Sequence, residues 1–183
     1  RRRRRNRSGA ARSRAAAEQL ANAPFEVGDV LKLPFADASF DLVWSKHLLQ
    51  WVGRREDALA EFRRVTRPGG RIVACNFDRF CLAHYPTDER LQAETEAWFR
   101  AANREFGFDN DLGRKLPHLF KRLGLQDVKA DFIPDRAFNG FGGDPGRRWN
   151  WETQFRSAMP FTVKVFGGEA AAADYTRRVM ERF

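Results

Sequence analysis

The chain has 183 residues, 43% apolar and 13% aromatic, which suits one globular domain with a sizeable core and argues against two. No apolar run approaches the roughly 18 to 20 residues that a membrane helix requires, so no bilayer span is predicted, and the protein is expected to be soluble or peripheral. The net charge of +9 points toward a polyanion only until it is located: eight arginines and no acid lie in residues 1–14, leaving the remainder nearly neutral.

Residues 1–9 read as a disordered basic arm, because like charges repel and bury nothing. The same arm suits non-specific phosphate contacts, and its Arg, Ser and Ala content is also that of an organelle transit peptide. The chain begins with Arg, so it is expected to be trimmed or incomplete there. Residues 10–22, AARSRAAAEQLAN, hold good helix formers and predict a helix ending near Asn22 and Pro24. FEVGD, from Phe25, reads as a short strand with Phe25 and Val27 on one face. LPFADAS is a loop, since Pro34 fixes its own backbone angle and Asp37 and Ser39 favour turns.

FDLVWS, Phe40 to Ser45, is a compact apolar run of the kind found in a strand covered on both faces. Ala58, Leu59, Phe62 and Val65 then recur at helical spacing over 55–67. RPGG at 67–70 is expected to stop that helix with a turn, and RIVACNF to form the next strand. Strand, helix and strand in so short a span make a right-handed crossover and hence a parallel pair. Further on, Leu91, Thr95, Trp98, Phe99 and Ala102 predict a helix over 87–106, and LGRKLPHLFKRLG another. DVKADFI at 127–133 reads as a strand, 138–151 as a Gly-rich loop, and AAAADYTRRVMERF as a helix with Tyr175, Val179 and Phe183 on one face. Cys75 and Cys81 match neither zinc-ligand nor disulfide spacing and read as reduced, with one buried.

In a parallel α/β sheet ligands sit beyond the carboxyl ends of the strands. Gly28 and Asp29 end the first strand read here, and Ser45, Lys46 and His47 end the second. A carboxylate beside a free backbone N–H can read an adenine edge. An unperturbed imidazole ionises near neutrality, which makes His47 the best candidate for a base, against the plainer reading that it caps a strand or short helix. His84 and His118 read as surface or packing residues. Trp44 and Trp51 are either walls of a site or core. Phe138, Phe141, Trp149, Trp151, Phe155 and Phe161 either line an apolar pocket or pack a cap helix.

FEVGDVLKLPFADASFDLVWSKHLLQW followed by ALAEFRRVTRPGGRIVACNF resembles class I S-adenosylmethionine-dependent methyltransferases, closest to the branch of ubiquinone, menaquinone and trans-aconitate methyltransferases. The resemblance is close over residues 10–78 and loose over 85–133. It implies an α/β fold, a Rossmann-like three-layer sandwich with a mostly parallel sheet, here incomplete at both ends. It implies S-adenosyl-L-methionine as cofactor, with the adenine amino group on Asp29, Val30 and Gly28 beside it, main-chain groups of Trp44 and Ser45 near the methionine end, and Lys46 to Gln50, Lys46 among the cofactor-binding residues, at the border of cofactor and acceptor. The partner implied is a small-molecule methyl acceptor, with no specific nucleic acid, no metal and a cytoplasmic setting. Methyl transfer from a sulfonium is mainly alignment in a dry site, with a base such as His47 to take the acceptor's proton.

The family's Gly-rich loop and the acid for the ribose hydroxyls are expected upstream of residue 10, and Gly140, Gly142 and Gly143 do not replace them. Residues 10–183 are therefore expected to be a partial methyltransferase domain with a cap or lid insertion at about 137–168. The alternative is a non-catalytic binding protein that applies its basic arm to RNA or a partner subunit. A nicotinamide-dependent oxidoreductase lacks its fingerprint here.

Overall fold

The computed structural model describes residues 2–79, 88–133 and 145–181. It is mixed α/β, with a parallel pair of strands and six α-helices among the described residues, consistent with a Rossmann-like fold. Two compact units are distinguished, one of residues 1–43 and 56–72, the other of residues 44–55 and 73–183. Strands β1 (Phe40–Lys46) and β2 (Thr66–Cys75) run through both.

In the first unit, helix α1 (Arg2–Ala17) begins inside the Arg run, where an arm without structure was expected, and stops short of Asn22. Arg is a good helix former, and the Ala-rich stretch beside it lets the helix propagate backward. Arg12 Nη2 donates to Phe25 O at 2.7 Å, which tethers the segment after the helix. That segment is not the expected strand: residues 23–28 carry no ladder and Val27 is exposed. Its apolar alternation has no neighbour to pair with among the described residues, and alternation without a partner does not make a strand.

Helix α2 (Arg55–Val65) forms as its spacing predicts, burying Ala58, Leu59, Phe62 and Val65. Glu56 and Asp57 sit in its first turn and Arg63 and Arg64 in its last, the arrangement the helix dipole favours. RPGG does not lie in a turn between helix and strand; it falls inside β2, which starts directly after Val65. Gly69 takes φ of 77°, and a Cβ on Gly70 would stand 2.7 Å from Thr66 Cγ2 and 2.9 Å from Arg67 O. The two glycines therefore supply a positive φ and a close backbone approach within the strand's own first residues.

The expectation of a β1 covered on both faces also fails. Leu42 is 50% and Trp44 62% exposed, and only Ser45 of that strand is buried. Residues 127–133 form no strand, with Phe132 72% and Ile133 86% exposed. Both departures have one cause: a two-stranded sheet offers too few neighbours to bury these side chains.

The second unit is mainly helical. α3 (Glu89–Phe106) opens on Asp88, whose Oδ1 accepts from Leu91 N at 2.7 Å, and closes on Gly107 at φ of 69°. These are the caps such a helix requires. α4 (Leu112–Arg122) follows, then α5 (Pro145–Phe166) and α6 (Glu169–Met180). Part of the expected Gly-rich loop is thus helix from Pro145, and residues 138–144 lie outside the described ones.

Helices α3, α5 and α6 pack together. Leu91, Tyr175 and Val179 form one cluster with Trp98, Phe155 and Phe166 against it, and Phe99, Ala102 and Phe108 form another with Phe161. Trp98 Nε1 donates to Thr162 Oγ1 at 3.1 Å. Phe155 and Phe161 are thereby packing residues of a helix. Phe183, Cys81 and His84 lie outside the described residues; Cys75 is a half-buried free thiol.

Gly70→Ala is expected to destabilise the protein by about 1–3 kcal/mol, because neither Arg67 O nor the facing Asp41 O is a flexible chain end. Urea denaturation should show a lower midpoint at unchanged slope; an unchanged midpoint contradicts the close approach.

Candidate functional site

The sequence-derived cofactor residues fall in both units. Gly28, Asp29 and Val30 belong to the first, and Trp44, Ser45, Lys46 and His47 to the second.

Around Asp29 the backbone makes a tight turn. Asp29 Oδ1 accepts from Leu31 N at 3.0 Å and Asp29 O from Lys32 N at 3.0 Å, so the aspartate holds its own loop, as Asx turns do. Its side chain is exposed. The following loop is held by Arg64. Its Nη1 donates to Phe35 O at 2.8 Å and Asp37 Oδ1 at 2.7 Å, and its Nη2 to Leu33 O at 3.1 Å. Its Nε and Nη2 also grip both oxygens of Glu61 at 2.8 and 2.9 Å. Glu61 Oε2 in turn accepts from Leu33 N at 2.8 Å. One guanidinium fork and one carboxylate thus satisfy the loop's backbone groups. The hydrogen bonds from Arg64, then that from Leu33, hold the Glu61 carboxyl down at about 2, while Glu61 and Asp37 raise Arg64 above its ordinary value.

In the second unit the strands end side by side. His47 N donates to Cys75 O at 2.8 Å, which carries the ladder past Lys46. His47 itself takes φ of 53°, and its ring stacks on Phe77 at 4.2 Å between centroids. Trp44 and Lys46 are exposed. Trp51 is half exposed and lies over Phe108 with centroids 4.3 Å apart. His118 is exposed on α4.

Gln50 ends the Lys46–Gln50 segment expected at the border of cofactor and acceptor, whereas Asn76 is the residue that sequence reasoning missed. Gln50 is buried within the 3-10 turn Leu49–Trp51. Its N donates to Asn76 Oδ1 at 3.3 Å, its Oε1 accepts from Phe77 N at 3.3 Å and its O from Asp109 N at 2.8 Å. A polar residue between the apolar pair Leu48–Leu49 and Trp51 was the signal for a buried hydrogen-bonding role. Asp109 is held by Lys115 Nζ at 2.8 and 2.9 Å, with Arg55 Nη1 at 4.0 Å. Gly113 N donates to Phe77 O at 2.9 Å, and Arg114 clasps Asp78 at 2.7 and 2.9 Å, lowering the Asp78 carboxyl.

Two side-chain atoms at the strand ends are buried and have no partner among the described residues: Ser45 Oγ, on β1, and Asn76 Nδ2, on the residue after β2. Buried polar atoms left unpaired cost about 1–3 kcal/mol each, and a binding site is one reason to carry them. An alcohol and an amide N–H suit a ligand with both acceptors and donors. Among the described residues no group of three His, Cys, Asp or Glu could hold a metal ion, and no helix is long and apolar enough to cross a membrane.

Residues 6–74 match the family described as "Methyltransferase domain", so this stretch carries the methyltransferase-domain sequence that its motifs imply. A demethylmenaquinone methyltransferase of Mycobacterium bovis (strain BCG / Pasteur 1173P2) is 44% identical over 112 residues, 61% of this chain and 40% of its own length. A ubiquinone/menaquinone biosynthesis C-methyltransferase UbiE of Dinoroseobacter shibae is 48% identical over 71 residues, 38% of this chain and 28% of its own. A malonyl-[acyl-carrier protein] O-methyltransferase of Erwinia pyrifoliae is 54% identical over 46 residues, 25% of this chain and 18% of its own. The chain thus spans well under half the length of these relatives.

Because Glu61 is held at about 2, below its usual value near 4.5, its contribution is fully present above about pH 4.5 and lost as pH falls toward 2. Glu61→Gln should therefore be less stable than the parent above pH 4.5, with the difference closing in acid; a pH-independent difference in denaturation midpoint contradicts the Arg64 clamp.

Proposed function

We propose that this chain is part of an S-adenosylmethionine-dependent methyltransferase acting on a small-molecule acceptor. The observation that carries the reading is the pairing of a methyltransferase-domain sequence over residues 6–74 with unpartnered buried Ser45 Oγ and Asn76 Nδ2 at neighbouring strand ends. In this reading Asp29, with Gly28 and Val30 beside it, takes the adenine amino group. Ser45 and Asn76, with the backbone of Trp44 and Lys46, take the amino-acid end of the donor. The bound donor supplies an already activated methyl group. What the protein must add is alignment, exclusion of water and a proton acceptor.

For that acceptor the reading keeps His47. Its ring stacks on Phe77 and its backbone N donates to Cys75 O, two contacts that hold the imidazole at the strand tip. The quinone-biosynthetic names of two relatives favour a quinone-like or other small acceptor over a macromolecule. The Arg run at the start of α1 favours a second reading, a methyltransferase-like binding protein that applies this helix to RNA.

The test is calorimetric titration of the full-length protein with S-adenosylhomocysteine. Saturable binding is expected, weakened at least about tenfold by Asp29→Ala through loss of a charge-assisted hydrogen bond. Absence of binding rejects the enzyme reading, and unchanged affinity in Asp29→Ala removes the adenine contact. Salt-sensitive RNA binding without any S-adenosylhomocysteine binding selects the second reading.

A further inference from the structure

A second feature of the helical unit is a cavity of about 520 Å³ between α3 and the start of α4, a size typical of small-molecule sites. Its charge is unevenly distributed. Arg100, on α3, and Arg79, whose N donates to Asn110 O at 2.8 Å, both reach Glu96, and Arg104 lines the cavity one turn beyond Arg100. Arg79 Nη2 stands 3.8 Å and Arg100 Nη1 3.5 Å from Glu96, both loose. With Lys115, Asp109 and Asp111 included, four cations line the cavity against three acids, so one positive charge is in excess, and Arg104 is the cation without an ion pair among the described residues.

The opposite wall differs. Lys115 is spent on Asp109 at 2.8 Å, whereas Asp111 Oδ1 is buried with no partner among the described residues. It is an acceptor in search of a donor. Between the two walls lie Phe99 and Phe108, stacked with centroids 5.6 Å apart, which give the cavity an apolar floor.

We propose that this cavity binds a small carboxylate with an apolar body and a hydroxyl group at its far end. The carboxylate sits on the Arg100–Arg104 rim, where a guanidinium fork matches its geometry. The body lies along Phe99 and Phe108, and the hydroxyl donates to Asp111. Gln50 links this wall to the strand ends, because its O accepts from Asp109 N and its N donates to Asn76 Oδ1. On the methyltransferase reading above, on which this role rests, the ligand is the methyl acceptor; the site itself does not require that reading.

The probe is 3-hydroxybenzoate, titrated into the full-length protein by calorimetry, with 3-hydroxybenzamide lacking the charge and benzoate lacking the hydroxyl donor. Saturable binding of 3-hydroxybenzoate is expected, about tenfold weaker for each analogue and about tenfold weaker in Arg104→Gln and in Arg100→Gln, since each change removes one hydrogen bond to a charged group. Both arginines are exposed, so these variants should fold. Arg90→Gln, whose parent residue pairs with Glu94 away from the cavity, should bind like the parent.

No saturable binding of 3-hydroxybenzoate, equal affinity for the amide, or unchanged affinity in both cavity variants overturns the site. Binding of 3-hydroxybenzoate by a protein that does not bind S-adenosylhomocysteine supports the site and removes its role as acceptor pocket, so the two readings fail separately.

Discussion

The grip of Arg64 and Glu61 on residues 33–37 is the constraint on which the first unit turns. A loop that opens on a turn at Asp29 and must reach β1 carries several backbone groups that no ladder can satisfy. Arg64 answers them from the last turn of α2, with carbonyls of Leu33 and Phe35 on one side and both Glu61 oxygens on the other. The helix is positioned in turn by four buried apolar residues. Hydrophobic burial thus fixes a guanidinium, the guanidinium fixes a loop, and the loop fixes the approach to β1.

The helical unit solves the same problem with an amide. Gln50 uses its backbone and its side chain to connect the segment after β1, the segment after β2 and the segment before α4. Gly113 permits α4 to come against Phe77 and Asp78, where a Cβ would stand 2.8 Å from Asp78 Cβ. These contacts bring the polar ends of two strands and the wall of a cavity into one hydrogen-bonded network. Such networks specify a single arrangement only when their members are satisfied, which makes the unpaired atoms of Ser45, Asn76 and Asp111 informative.

Helical periodicity was legible because it is local. Ala58, Leu59, Phe62 and Val65 on α2, Leu91, Thr95, Phe99 and Ala102 on α3, and Tyr175 and Val179 on α6 are buried as their spacing predicts. The strand at Phe40 was also read correctly, since β2 lies beside it. The readings at Phe25 and at 127–133 failed because a strand exists only through its neighbours, and a residue pattern does not say whether those neighbours are present. RPGG misled for another reason: Gly69 and Gly70 serve a positive φ and a close approach inside β2, which composition cannot tell from a turn before it. Of the candidate residues, Asp29, Ser45, His47 and the segment ending at Gln50 are suggested by the motif alone, whereas Asn76 and the Arg64 clamp depend on contacts across distant stretches of chain.

The exposed apolar ribbon has a consequence for what can pair with it. β1 pairs with β2 and with no other strand among the described residues, and it shows water two large side chains, Leu42 and Trp44. An edge without a neighbour among the described residues, flanked by apolar side chains, is one on which a further strand can add. A segment that added to this edge would complete the ladder and cover Leu42 and Trp44 in one step, so its pairing would be rewarded by hydrogen bonds and by apolar burial together.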